Sequence, residues 1–135
     1  MEIDMSSSFC HGLSLQVSRP QPIYLTRLGG YSVIIEVRLG STNPKLQQAI
    51  INTVVHGERA DLQSLGIPEA GRAHLVTANG PTEIAPGVLV TIRKGGERKP
   101  VTAHTVALVI SADPQSWMIE RKSVMEARLR EGRKA

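Results

Sequence analysis

The sequence predicts an α+β fold: a single domain, its antiparallel or mixed sheet built from two hairpins, with one central helix and a basic C-terminal helix. Three observations carry the prediction. Short β-branched runs lie between Gly and Pro punctuation in both halves of the chain. A helix-start signal at Asn43-Pro44 precedes an apolar stripe. A second stripe near the C-terminal end is interleaved with cations. The predicted parts are a flexible segment over 1–12, an α+β core over 13–112 and the basic helix over 113–135.

In order, "LSLQV" (Leu13–Val17) alternates apolar and polar residues, as a half-buried strand does, and the prolines of "RPQP" make the next segment a loop or edge. "IYLTRLGGYSVIIEVRL" reads as a hairpin turning at Gly29-Gly30, where positive φ is tolerated. In it Tyr31, Val33, Ile35, Val37 and Leu39 face the core, while Glu36 and Arg38 face water. Asn43 caps and Pro44 opens the predicted central helix, whose stripe is Leu46, Ala49, Ile50, Thr53 and Val54, with Gly57 as its stop. A helical turn over Asp61–Leu65 ends at Gly66, and "RAHLVT" is a strand. "ANGPTEIAPG" is turn punctuation.

"GVLVTI" and "VTAHTVALVI" form the second hairpin across a tight Gly95-Gly96 turn, which pairs Lys94 with Glu97 and Arg93 with Arg98; Pro100 would fall opposite Thr91, so a bulge or frayed end is expected there. Asp113 then caps the last helix, with Pro114 in its first turn. Met118, Met125 and Leu129 supply its stripe, and Glu126 is spaced to pair with Arg130.

Composition narrows the functional classes. One Phe, one Trp and two Tyr among 135 residues make the core aliphatic and leave few platforms for stacking nucleobases. Cys10 is the sole cysteine, so no internal disulfide forms; this fits a reducing compartment, and the acidic, polar start lacks a signal-peptide pattern. With no transmembrane segment, the expected location is cytoplasmic. Residues 121–135 hold six cations and two acids, and residues 1–120 hold ten of each, so the net charge of +4 lies entirely in the last fifteen residues.

The cations there, Arg121, Lys122, Arg128, Arg130, Arg133 and Lys134, complement the negative end of a helix dipole and are candidates for contact with an acidic or nucleic-acid partner. Arg93, Lys94, Arg98 and Lys99 around the second hairpin's tip form another candidate contact, although polar tips and edge lysines also serve simply to stay wet. Ser41, Thr42 and Lys45 at the predicted helix start offer an anion site, with ordinary capping as the competing reading.

The four histidines lack metal-ligand spacing, and neither a Walker, GxSxG nor HExxH pattern occurs; no cofactor, metal or catalytic set is expected. The leading expectation is a non-enzymatic interaction or assembly protein. It self-associates or sits in a larger particle, phage-like or nucleoprotein, with its basic helix on a neighbour. The alternative is a small enzyme or binding domain for an anionic metabolite using His104, His74 and Lys45. His104 there shares a strand face with Val106 and Leu108, and Glu83, Asp113 or Glu36 supplies a carboxylate.

Overall fold

Strand runs dominate the architecture. In the computed structural model, which describes residues 12–94 and 98–134 (side chains as far as Glu131), nine strands form two antiparallel sheets, accompanied by two short helices. The elements are β1 (Gly12–Ser18), β2 (Ile23–Arg27), β3 (Val33–Asn43), β4 (Gln48–Gly57), α1 (Arg59–Leu65), β5 (Arg72–Val76), β6 (Thr82–Ala85), β7 (Val88–Ile92), β8 (Thr105–Ser111), β9 (Trp117–Arg121) and α2 (Lys122–Lys134). One sheet has the order β1-β8-β7-β6 and the other β5-β4-β3-β2-β9.

The inner faces meet in an aliphatic core, where Val17, Ile23, Leu25, Val37, Ile51, Val90 and Leu108 are wholly buried. No helix among the described residues is long and apolar enough to cross a membrane.

The predicted central helix is a β-hairpin. β3 runs on to Asn43, turns over residues 44–47, and returns as β4. The helical stripe is broken: Leu46 is 64% exposed and Ile50 is exposed, whereas Ala49, Ile51 and Thr53, spaced by two, are buried. Five β-branched residues among positions 50–55 prefer the pleated surface, and a core waiting on one side selects period two. Asn43 and Pro44 serve a turn instead of a helix start. Asn43 Oδ1 accepts the Leu46 N–H, and Gln47 closes the turn in the left-handed region at φ 52°.

The first hairpin forms with the predicted core face, and Gly29 and Gly30 both take positive φ. Its ladder stops at Thr26 opposite Ile34, so the connection is wider than two residues. The second hairpin's ladder is frayed on the Pro100 side, as expected there. β7–β8 pairing ends at Ile92 opposite Leu108, and Thr91 faces Val109, not Pro100. The expected Gly95-Gly96 turn and the Lys94–Glu97 pairing fall on positions 95–97, outside the described residues.

β6 occupies part of the segment read as punctuation, closing onto β7 through Pro86 and Gly87. α1 and its Gly66 stop agree with the sequence: Gly66 is left-handed at φ 71°, and Leu62 is the residue α1 buries.

The C-terminal segment is not one helix from Asp113. Asp113 caps a turn, accepting from the Gln115 N–H and the Ser116 hydroxyl. Trp117–Arg121 then adds to sheet edge β2 as β9, burying Trp117, and the helix begins at Lys122. Residues 1–11 lie outside the described residues.

Candidate functional site

The outward face of the five-stranded sheet carries an unusual row. Tyr24 on β2 stands directly between Glu36 on β3 and Glu120 on β9. Both carboxylates are buried, at 6% and 7% exposure, although the sequence pattern has Glu36 facing water. A buried carboxylate needs donors. Glu36 receives Arg38 and lies 3.5 Å from His56 Nε2. Burial by itself raises the Glu36 carboxyl, but the contacts with Arg38 and His56 outweigh it and hold the group below its ordinary value. Burial, followed by the charge of Glu36, raises the Tyr24 hydroxyl.

Glu120 receives a fork from α2: Arg128 Nε lies 3.2 and 3.1 Å from the two carboxylate oxygens, and Nη2 lies 3.0 Å from Oε1. The arginine is correspondingly held more strongly protonated.

That fork is the helix's main attachment. None of the α2 side chains described is buried; Met125 and Ala127 are half-buried, while Val124 is 54% and Leu129 42% exposed. Of the sequence-predicted contact cations, Arg128 is neutralised within the chain. Arg121, Lys122 and Arg130 are exposed and make no ion pair among the described residues, and the expected Glu126–Arg130 pair does not form. The side chains of Arg133 and Lys134 lie outside the described set.

The loop cations are divided as well. The Arg93 guanidinium is turned back onto the Arg98 carbonyl, while Lys94, Arg98 and Lys99 are exposed. Their loop is clipped to the β3–β4 turn by Gln47, whose side-chain amide donates to the Val101 carbonyl and accepts the Val101 N–H; Thr42 donates to the Ala103 carbonyl. Sequence reading missed Gln47, because nothing local signals a partner so far along the chain.

Comparison of the chain with protein-family models, curated proteins and solved structures finds no match. Function therefore rests on the sites themselves.

The predicted anion site does not assemble. With a hairpin in place of the helix, no helix N-terminus backs Ser41, Thr42 and Lys45; Ser41 is in strand, Thr42 is engaged with Ala103, and Lys45 is exposed in the turn. His104 precedes β8 in the Thr102–Thr105 turn and is exposed, not aligned with Val106 and Leu108 on a buried face. His74 alone of the three enters a cavity, one of about 240 Å³ between β5 and β6 that it shares with Thr53, Arg72 and Glu83. Neither His104 nor Lys45 lines it. Among the described residues no cluster of His, Cys, Asp and Glu could hold a metal ion.

Proposed function

We propose that this chain is a non-enzymatic assembly subunit whose helix α2 docks in an acid-rimmed groove of a protein neighbour. The observation that carries the reading is the helix's poor attachment to its own sheet. It buries no described side chain, yet holds Val124 and Leu129 out to solvent among Arg121, Lys122 and Arg130. A helix of thirteen residues is marginal without tertiary burial, and Arg128–Glu120 supplies only a tether. An amphipathic helix completed by a partner's groove obtains that burial. The apolar pair among cations fits a groove with an acidic rim better than a phosphate backbone, which offers aliphatic side chains nothing to bury against.

The test is the native mass of the full chain isolated from cells that make it, before and after nuclease. Charge reversal (R121E/K122E/R130E) is run beside apolar disruption (V124D/L129D). The expected result is a nuclease-resistant particle larger than the monomer that both variants dissolve. A particle that nuclease collapses assigns the helix to nucleic acid, and a monomer under all conditions overturns the assembly role.

A further inference from the structure

β5 is built inside out. Cross-strand partners share a face, and Arg72 and His74 lie opposite Thr53 and Ile51, both inner residues of β4. The strand therefore turns its two basic residues toward the space between the sheets and leaves Leu75 54% exposed on the outside. Local conflict of this kind between pattern and placement marks functional positions.

The inversion is held firmly. The Thr53 hydroxyl accepts the Arg72 N–H and donates to the Arg72 carbonyl, and Val76, two residues beyond His74, is wholly buried.

The resulting cavity has apolar walls from Ile35, Val55, Ile67 and Ile84. Its charges come from opposite sheets: Arg72 on β5, Glu83 on β6. They do not pair with each other, and no ion pair satisfies either among the described residues. Among the described residues Glu83 accepts the Gly87 N–H alone, and the Arg72 guanidinium makes no hydrogen bond. Burial, and then the nearby Arg72 charge, holds the His74 imidazole below its ordinary value, so at neutral pH it is an uncharged donor or acceptor. About 240 Å³ is smaller than the ~300–1,000 Å³ usual for larger ligands, which restricts the occupant to a few heavy atoms.

The geometry points to a binding site for a small aliphatic α-amino acid. Its carboxylate engages Arg72 and the His74 ring, its ammonium engages Glu83, and its side chain lies on the apolar wall. Separated opposite charges on facing walls suit a ligand carrying both signs, since either sign alone is repelled by one wall. This site is independent of the α2 reading, and its failure leaves that reading untouched.

The experiment is a titration of the full ¹⁵N-labelled chain with L-valine at millimolar concentration, with 3-methylbutanoate and 2-methylpropan-1-amine as probes lacking one charge. Valine should shift the His74 and Gly87 amide resonances saturably, with each half-probe binding roughly tenfold more weakly or worse. R72Q, which changes an exposed side chain and keeps the backbone bonds to Thr53, should abolish the valine response. E83Q should let 3-methylbutanoate bind as well as valine. No saturable shift, an unchanged response in R72Q, or equal binding of valine and 3-methylbutanoate to the unaltered chain overturns the assignment.

Discussion

Glu36 and His74 are two ionisable side chains that folding forces to opposite solutions. Glu36 keeps its charge because Arg38 and His56 outweigh the effect of burial; His74 loses its charge because burial, and then Arg72, disfavour the proton. Each makes stability depend on pH. The carboxyl's depressed value means that its contribution is present above the unfolded value of 4.5 and fades as pH falls through the folded one. The imidazole's depressed value means that the unfolded chain takes up the proton first, so stability declines as pH drops from 6.5 toward the folded value. Urea unfolding against pH should show both slopes, with E36Q flattening the more acidic and H74N the less acidic. Thr53 offers a check that does not depend on charge. Because its hydroxyl both donates to and accepts from the Arg72 backbone, T53V should cost about 1–2 kcal/mol of unfolding free energy and speed exchange of the Arg72 amide. Gly71, just before β5, tolerates no side chain, since a Cβ there would run into the backbone carbonyl of Thr53. G71A should therefore displace the start of β5, destabilise by about 1–3 kcal/mol, and disturb the cavity resonances.

Among the elements, the β3–β4 hairpin and helix α2 each hang on a few side-chain contacts outside the element itself. Gln47 holds the hairpin's turn against the 98–104 loop with two bonds to Val101 while itself in the left-handed region. Q47A keeps the strained backbone and loses both bonds, so it should cost about 2 kcal/mol, read from the shift in denaturation midpoint. For α2 the decisive contact is the Arg128–Glu120 fork. R128A should reduce helical ellipticity and deprotect residues 122–134 in hydrogen exchange, with the near-ultraviolet signal of Trp117 preserved, because Trp117 opens β9 at the end away from the helix and its ring packs in the core, with the Arg27 guanidinium 5.6 Å from its centre. These two elements also mark where the sequence was misleading. "NPKLQQAIINTVV" carries a helix cap and a helical stripe, and its β-branched residues prevail only because a core on one side rewards alternation. "WMIERK" contains no break between strand and helix; what divides it is the exposed edge of β2, to which Trp117–Arg121 pairs. By contrast, β1, the first hairpin's core face, α1 with Gly66, and the run of β5 were legible, since their patterns need no distant partner to be read. Of the cavity, His74 and Glu83 were visible only as separate candidates, one histidine and one of three carboxylates; their convergence with Arg72 depends on how two sheets meet.

At the scale of the whole molecule, two sheets enclose the core and α2 stands outside it. Removing residues 122–135 should therefore leave a cooperatively unfolding protein, with a loss on the order of 1–3 kcal/mol for the half-buried Met125 and Ala127 and for the Arg128 donors taken from Glu120. Removing residues 117–135 takes β9 and the buried Trp117 as well, leaves β2 an open edge paired with β3 alone, and should abolish cooperative unfolding. Measuring the two truncations side by side by calorimetry separates helix from core. The uneven distribution of charge was plain in the sequence; the strand order was not, because β1 pairs with β8 and β2 with β9 across most of the chain.

That pairing governs how the protein is made. As it leaves the ribosome, β2 to β5 can assemble as a meander, but β1 has no neighbour until β8 emerges, and β2 keeps an open edge until β9 follows. Maturation is thus gated by β8 and β9, and a chain stalled before them exposes two ribbons ready to cross-pair with another nascent copy.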